Sequence, residues 1–208
     1  MSINNLKHIS NSEFNIFDDR KRAHFVNSLS GVKSVNLVGT VSSEGNENLS
    51  VISSAFHLGA TPALMGIIIR PDMSPRHTLN NIRENKYFTI NHVNQEIYKR
   101  SHQTSARYPE DVSEFEACGL TSQYLQNFKA PFVKESKIKL SMELVREVSI
   151  SENGTHLLIS KICGAWVPEN CLEEDGHLNI TKAGTLGVVG LDSYQSIQSL
   201  KRLPYAKP

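Results

Sequence analysis

The dipeptide Asn153-Gly154 stands between two long runs rich in β-branched residues, and no other feature of the chain constrains its fold as strongly. The two runs cover residues 138–150 and 155–167. Asn-Gly between such runs is the strongest short-range indication of a β-hairpin, because both residues readily adopt the positive φ angles of a tight hairpin turn. We therefore predict a long antiparallel strand pair in the C-terminal half of the chain.

Further β-rich runs lie on both sides of this hairpin, at residues 35–41, 48–56, 63–69, 87–93, 179–181 and 186–191. Apolar periodicity predicts helices at 18–29 and 75–85, and residues 94–130 are polar, irregular and partly helical. The alternation of strand and helix that builds a parallel sheet is absent after residue 93. The pattern favours a mainly β fold with flanking helices, a closed or nearly closed antiparallel barrel, in a single domain over residues 1–208.

The charge and hydropathy of the chain argue against several classes of protein. Its net charge is +1 at pH 7, whereas a dedicated nucleic-acid surface is usually strongly basic. The longest apolar run is much shorter than a membrane span requires, and the N-terminus lacks the apolar core of a signal peptide. We expect a soluble, cytoplasmic protein that binds neither nucleic acid nor membrane.

The cysteines and histidines do not have the spacing of a metal site. Cys118, Cys163 and Cys171 form no CxxC pair, and none of the eight histidines belongs to an HExxH motif. We predict three reduced thiols and no metal.

Residues 70–83, RPDMSPRHTLNNIR, suit an anion at the start of a helix. Ser74 is a favourable N-cap and Pro75 fits the first helical position. The free N–H groups of the first turn then lie where the helix dipole is positive. A phosphate is a natural ligand for such a place, and the candidate ligands are Arg70, Arg76, His77 and Thr78. The alternative is a capped helix whose basic side chains are simply solvated.

Two other polar groups could contact a ligand. Ser53, Ser54, Ala55 and Phe56 end a predicted strand, where small residues would let a flat ring approach the backbone. Residues 101–108, SHQTSARY, combine hydroxyls, an imidazole and a guanidinium that can bind a phosphate or a pyrimidine edge. The alternatives are a strand with a polar face and a solvated loop.

Taken together, these stretches resemble the flavin reductase-like proteins of the FMN-binding split-barrel superfamily. The resemblance runs from about residue 35 to the C-terminus and is carried by LSVISSAFHLGATPAL, RPDMSPRHTLNNIREN, SHQTSARYPEDVSEFEACGLT, PFVKESKIKLSMEL and GLDSYQSIQSLKRLPYAKP. It implies a six-stranded antiparallel Greek-key barrel with flanking helices. It also implies a homodimer with FMN near the subunit interface.

The resemblance implies a role for each group of residues. Ser53, Ser54, Ala55 and Phe56 would line the isoalloxazine and ribityl part of FMN, and Arg70, Arg76, His77 and Thr78 would hold its phosphate. The residues that would close over the cofactor are Thr104, Ser105, Ala106 and Arg107, with His102 before them. Tyr194 would approach the site from the C-terminal segment.

The reaction implied by the resemblance is hydride transfer from NADH or NADPH to flavin. We name no catalytic residue, because this transfer needs placement and electrostatics rather than an acid–base pair. A flavin-dependent oxygenase or another acceptor would take the electrons. The alternatives are an FMN-bound electron carrier, a reductase of another acceptor, and a non-enzymatic flavin-binding or sensing module.

Overall fold

A computed structural model describes residues 6–71, 77–109 and 111–207 of the chain. Its helices are α1 (Asn11–Asn15), α2 (Asp19–Leu29), α3 (His77–Asn85), α4 (Tyr98–Gln103) and α5 (Glu114–Ala117). Its strands are β1 (Lys33–Ser34), β2 (Asn36–Val41), β3 (Glu47–Ile52), β4 (Phe56–Ala60), β5 (Ala63–Ile69), β6 (Tyr87–His92), β7 (Ser122–Gln123), β8 (Phe132–Val133), β9 (Lys139–Ile150), β10 (Thr155–Trp166), β11 (Leu186–Val189) and β12 (Ser193–Ser196).

The central element is a seven-stranded antiparallel sheet with the order β3-β2-β6-β9-β10-β5-β4. A three-stranded sheet, β1-β11-β12, and the pair β7-β8 complete the β structure of the described residues. The longest strand pair is the β9–β10 hairpin, in which Ile150 pairs with Thr155. Gly154 has a φ of 70° in the turn between them, and its N–H donates to the Ile150 carbonyl at 2.8 Å. The hairpin predicted from Asn153-Gly154 is confirmed, although its turn covers residues 151–154 and, of the pair, only Gly154 has a positive φ angle.

The central sheet is rolled, because its two edge strands follow one another in the chain. Strands β3 and β4 lie at opposite edges, yet only residues 53–55 join them. In a flat sheet of seven strands the edges would be about 29 Å apart, whereas this connection spans at most about 14 Å. The edges must therefore approach each other at residues 53–55, and we call this place the seam.

The rolled sheet encloses one apolar cluster and carries another outside. The inner cluster contains Val38, Ile67, Ile69, Phe88, Ile90, Met142 and Leu158, together with Leu79 and Ile82 from α3. The outer cluster joins β2 and β3 to the segment after β6 and to β11, through Val35, Leu37, Leu49, Val93, Ile97, Phe115, Leu120, Val133, Leu186 and Val188. Through this cluster, β3 packs against Ile97 and Phe115 in the segment that follows β6.

The fold class predicted from the sequence is confirmed, with several differences in detail. The sheet has seven strands instead of six. The predicted strand over 48–56 divides into β3 and β4, because residues 53–55 must carry the chain across the seam. Residues 179–181 form a turn instead of a strand, since the Asn179 side chain accepts a hydrogen bond from the Lys182 N–H at 3.2 Å. Strand β12 was not predicted.

Candidate functional site

The seam is held by two serine hydroxyls that bond to backbone carbonyls. Ser54 Oγ donates to the Ile68 carbonyl at 2.7 Å, and Ser34 Oγ donates to the Ala55 carbonyl at 2.8 Å. These contacts join the end of β5 and the short strand β1 to residues 53–55. The predicted ring-binding residues Ser53, Ser54 and Ala55 are all half-buried at this junction.

Phe56, the fourth predicted ring-binding residue, places an exposed aromatic ring beside the seam. It begins edge strand β4, pairs with Gly66 of β5 and is 40% exposed. Its ring lies directly on Gly66, where an added Cβ would be 2.5 Å from Phe56 Cζ. The absence of a side chain at Gly66 therefore leaves room for the tip of the ring against the sheet.

The start of α3, where the sequence predicts a phosphate, is tied to β3 by side chains. Asn48 Nδ2 donates to Thr78 Oγ1 at 2.9 Å, and the Ser50 and Thr78 hydroxyls lie 2.9 Å apart. Asn48 Nδ2 and Asn81 Nδ2 also donate to Thr40 Oγ1, at 3.2 and 3.1 Å. Asn48 and Asn81 are buried. Two buried amides therefore join α3 to the sheet: Asn48 links β3 to Thr78, and Asn81 links the helix to Thr40 of β2.

Of the predicted phosphate ligands, Arg70, His77 and Thr78 are described. Arg70 directly follows β5 and is exposed, and His77 and Thr78 are half-buried in the first turn of α3. Ser74, Pro75 and Arg76, which were assigned to the helix start, lie outside the described residues.

Glu114 is a buried carboxylate beside the same helix start. Its Oε2 accepts the Leu49 N–H of edge strand β3 at 2.9 Å. Burial raises the pKa of the Glu114 carboxyl, while the bonds from the Leu49 and Glu114 N–H groups and the charge of His77 oppose that rise in the pKa. Leu49 lies between Asn48 and Ser50, which both bond to Thr78, so Glu114 and the α3 start meet at β3.

The loop after α4 uses its hydroxyls locally. Thr104 is buried and donates from Oγ1 to the Ser101 carbonyl at 2.8 Å, while Ser105 Oγ donates to the His102 carbonyl at 2.7 Å. Ser105, Ala106 and Arg107 are exposed. Of the residues predicted to cover the cofactor, these three and His102 are therefore accessible.

Tyr194, which the family resemblance places near the cofactor, lies on β12 beside this loop. Its hydroxyl lies 3.2 Å from His102 Nδ1, and its ring is 5.5 Å from that of Tyr98. Burial and the charge of Asp192 raise the pKa of Tyr194 to about 12, so its hydroxyl stays protonated at neutral pH.

The three predicted groups of residues all border β3. Residues 53–55 continue from it, Thr78 is bonded to its side chains, and α4 and α5 pack along it. Sequence reasoning missed Asn48, Ser50 and Glu114. Asn48 and Ser50 are two residues apart on a predicted strand, so the sequence already placed them on the same face. The irregular segment 94–130 has no pattern that indicates a role for Glu114.

The described residues contain free thiols, and they contain no arrangement of metal ligands and no membrane-spanning helix. Cys118, Cys163 and Cys171 are not in disulfides. Within residues 6–71, 77–109 and 111–207, no group of three histidine, cysteine or acidic side chains is arranged to hold a metal ion. None of the described helices is long and apolar enough to cross a membrane.

Comparison with known proteins gives a family and several similar structures. The model of the flavin reductase like domain matches residues 30–183. A split-barrel protein of Shewanella frigidimarina, provisionally named a flavin reductase, is 52% identical, with a TM-score of 0.93 and coverage of 96% of this chain and 100% of that one.

Two more distant structures share the fold. Component B of nitrilotriacetate monooxygenase from Bacillus cereus is 20% identical, with a TM-score of 0.83 and coverage of 95% and 98% of the two chains. The 2-nitrobenzoate 2-nitroreductase of Pseudomonas fluorescens is 21% identical, with a TM-score of 0.80 and coverage of 97% and 98%. At these identities the likeness concerns the fold alone.

Proposed function

This chain belongs to the family of flavin reductase like domains, and we propose that it binds FMN and transfers hydride from NADH or NADPH to the flavin. The observation that carries this proposal is the convergence of three polar groups on β3. A helix start suited to phosphate, a junction of small residues and an accessible basic loop lie around one strand. The helix start suits the phosphate of FMN, the junction of small residues suits its flat ring, and the basic loop suits the polar edge of that ring.

The residues present fit the phosphate of FMN. Arg70 is exposed and has no carboxylate partner among the described residues. The hydroxyls of Ser50 and Thr78 share one hydrogen bond, so one of their two hydrogens remains for another acceptor. Arg70, Arg76, His77 and Thr78 would hold the phosphate at the positive end of α3.

The flavin ring would lie at the seam. Ser53, Ser54 and Ala55 offer small side chains and backbone groups there, and Phe56 adds an exposed aromatic surface. His102, Thr104, Ser105, Ala106 and Arg107 would form the cover, and Tyr194 would hold the His102 ring in place.

When bound, FMN supplies the acceptor of the hydride. The chain contributes binding, orientation and charge. The phosphate ligands fix one end of the cofactor, and the seam limits the position of the ring, so that the nicotinamide can be held at reacting distance. Arg107 would stabilise negative charge at the pyrimidine edge. No side chain needs to move a proton in this step.

The acceptor of the electrons is the second part of the proposal. We propose that reduced flavin passes to a flavin-dependent oxygenase, and the fold is shared with component B of a monooxygenase. In the alternative, FMN stays bound and reduces a small molecule directly, and the fold is shared with a nitroreductase as well. Rapid exchange of bound FMN with free flavin is expected for the first, and retention through gel filtration for the second.

We further propose a cytoplasmic homodimer. Val26 and Leu29 of α2 are 46% and 65% exposed. Leu200, Leu203 and Tyr205 in the C-terminal segment are 79–100% exposed. A second copy of the chain would cover apolar surface of this kind. Light scattering after gel filtration would give twice the mass of 23.2 kDa.

The function is tested by the visible spectrum of the purified protein before and after NADH or NADPH is added without air. A flavin spectrum that bleaches supports the reductase. A spectrum that persists with both donors favours a carrier or a non-enzymatic flavin-binding module. A colourless protein that also fails to bind added FMN contradicts the proposal.

A further inference from the structure

A groove between α1 and α2 contains none of the residues that we assign to the flavin. Its volume is about 500 Å³, which lies within the range of roughly 300–1,000 Å³ that is usual for small-molecule sites. Ile9, Phe17 and Phe25 form its apolar walls and are half-buried. The rings of Phe17 and Phe25 meet edge to face, with their centroids 5.9 Å apart. The groove therefore offers aromatic surface to a flat apolar ligand.

The charged residues of the same groove are mostly basic. Among the described residues that line it, Lys7, Lys21 and His24 accompany a single acid, Glu13. None of these three bases forms an ion pair with a described carboxylate. The Lys21 ammonium lies 4.2 Å from the centre of the Phe17 ring, so a positive charge is held directly beside the aromatic wall.

Glu13 uses its carboxylate at the start of α1. Its Oε2 accepts hydrogen bonds from the Ser10 N–H at 2.8 Å and from the Ser10 hydroxyl at 2.9 Å. These two bonds hold the pKa of Glu13 below its usual range, so the carboxylate stays ionised at the helix cap. Because two lysines line the groove with this one carboxylate, the groove keeps a positive charge that an entering anion would neutralise.

The groove is on a different side of α2 from the residues that we propose a second copy covers. Successive helical residues are about 100° apart around the axis, so Lys21, Phe25 and Ser28 share the side that lines the groove. Val26 and Leu29 are centred about 110° away from that side. A dimer that buries Val26 and Leu29 therefore need not cover the groove.

We propose that the groove between α1 and α2 binds an aromatic carboxylate. The ring of the ligand would pack on Phe17 and Phe25, and its carboxylate would pair with Lys21 and Lys7. An uncharged aromatic ligand would leave the lysines unpaired, and an inorganic anion would leave the phenylalanine rings uncovered. This site is separate from the one proposed for flavin, so each is tested with its own ligand.

The test is calorimetric titration of the purified protein with 2-naphthoate and with the uncharged 2-naphthamide, with and without saturating FMN. Lys21→Met removes the charge but keeps an apolar side chain, Lys21→Arg keeps the charge, and Phe25→Leu removes an aromatic wall. Arg20→Met is the matched control, because Arg20 is the adjacent exposed cation of α2 and is absent from the described lining of the groove.

We expect 2-naphthoate to bind with FMN present, and roughly two- to fivefold more tightly than 2-naphthamide, the range of a partly exposed ion pair. Lys21→Met should remove most of that difference, and Lys21→Arg should retain it. Phe25→Leu should weaken both ligands, whereas Arg20→Met should behave like the parent. Added salt should weaken 2-naphthoate alone, since it screens the ion pair.

Three results would overturn the proposal. The first is that 2-naphthoate does not bind to the parent, as expected if a second copy covers the groove. The second is competition between 2-naphthoate and FMN, which would place the ligand in the flavin site. The third is equal weakening by Lys21→Met and Arg20→Met, which indicates general attraction to a basic helix. Failure to bind FMN contradicts the proposed function and leaves this site unaffected, so the two failures are distinguishable.

Discussion

Asn48 donates an amide hydrogen to the hydroxyl of Thr78 at 2.9 Å and so joins edge strand β3 to the first turn of α3. The same Nδ2 atom donates to Thr40 at 3.2 Å. Both amide hydrogens of a buried side chain are thus used to fix the place where we propose a phosphate. Asn48 therefore ties Thr78, one of the candidate phosphate ligands, to the barrel.

Replacement of Asn48 by Asp should weaken FMN binding strongly. The carboxylate cannot donate to Thr40 and Thr78, and its negative charge would face the phosphate site. We expect at least a tenfold loss of FMN affinity, a smaller loss for riboflavin, and destabilisation by roughly 1–3 kcal/mol. Fluorescence titration and chemical denaturation measure the two effects.

The control for this substitution is Asn85→Ala at the other end of α3. Asn85 Nδ2 donates to the Val41 carbonyl at 2.6 Å, so its removal should lower stability without a change in FMN affinity. Equal FMN affinity in Asn48→Asp and the parent would contradict the position that we assign to the phosphate.

Substitution of Gly66 by Ala should displace the ring of Phe56. The new Cβ would lie 2.5 Å from Phe56 Cζ, a distance at which the ring must move. We expect a loss of stability of about 1–3 kcal/mol and equal weakening of FMN and riboflavin, because the ring contact does not involve the phosphate. Gly59→Ala, whose Cβ would have an ordinary contact at 3.6 Å, is the matched control.

A double substitution separates the clash from other effects. In a Phe56→Ala background, Gly66→Ala should cost much less stability than in the parent, since the three atoms nearest to the new methyl group are then removed. Additive losses in the double variant would show that the Phe56 ring is not what opposes a side chain at position 66.

The residues just discussed also show what the sequence can and cannot predict. The β9–β10 hairpin and strand β5 were predicted correctly, because Asn153-Gly154 and the apolar run 63–69 are local patterns. The seam was not predicted, since the division of residues 48–56 depends on where the two sheet edges meet. Glu114 could not be found either, because its partner Leu49 lies 65 positions away in the chain.

Removal of the Glu114 charge should change the pH dependence of stability. Burial raises the pKa of this carboxyl above its ordinary value of 4.5, so the folded state binds its proton more tightly than the unfolded state. The contribution of Glu114 to the stability of the parent therefore falls as pH rises from 4.5 through the raised pKa. Glu114→Gln, which stays neutral, should gain stability relative to the parent between pH 4.5 and 7.

Urea denaturation at several pH values between 4 and 7 measures this difference in unfolding free energy. Glu116→Gln on the exposed side of the same short helix is the control and should follow the parent. A difference between Glu114→Gln and the parent that stays constant with pH would mean that the buried carboxyl titrates alike in both states.

Glu147 should show the opposite dependence, because Arg83 and His156 hold it as a carboxylate. Arg83 donates to both of its oxygens, at 3.0 and 2.7 Å, and His156 Nδ1 lies 2.7 Å from Oε1. The bond from Arg83, and then the charges of Arg83 and His156, lower the pKa of Glu147 below its ordinary value of 4.5. The stabilisation is complete above the ordinary value and is lost as pH falls through the lowered one.

Glu147→Gln should therefore be less stable than the parent at pH 7, by roughly 1 kcal/mol for a partly exposed pair, and the deficit should shrink below pH 4.5. Arg83→Lys keeps the charge but loses the two-point contact, so it should show part of the same deficit at pH 7. Since Arg83 is in α3 and Glu147 is in β9, this pair ties the far end of α3 to the barrel. A deficit that is equal at pH 3 and pH 7 would mean that packing, and not the ion pair, holds the helix there.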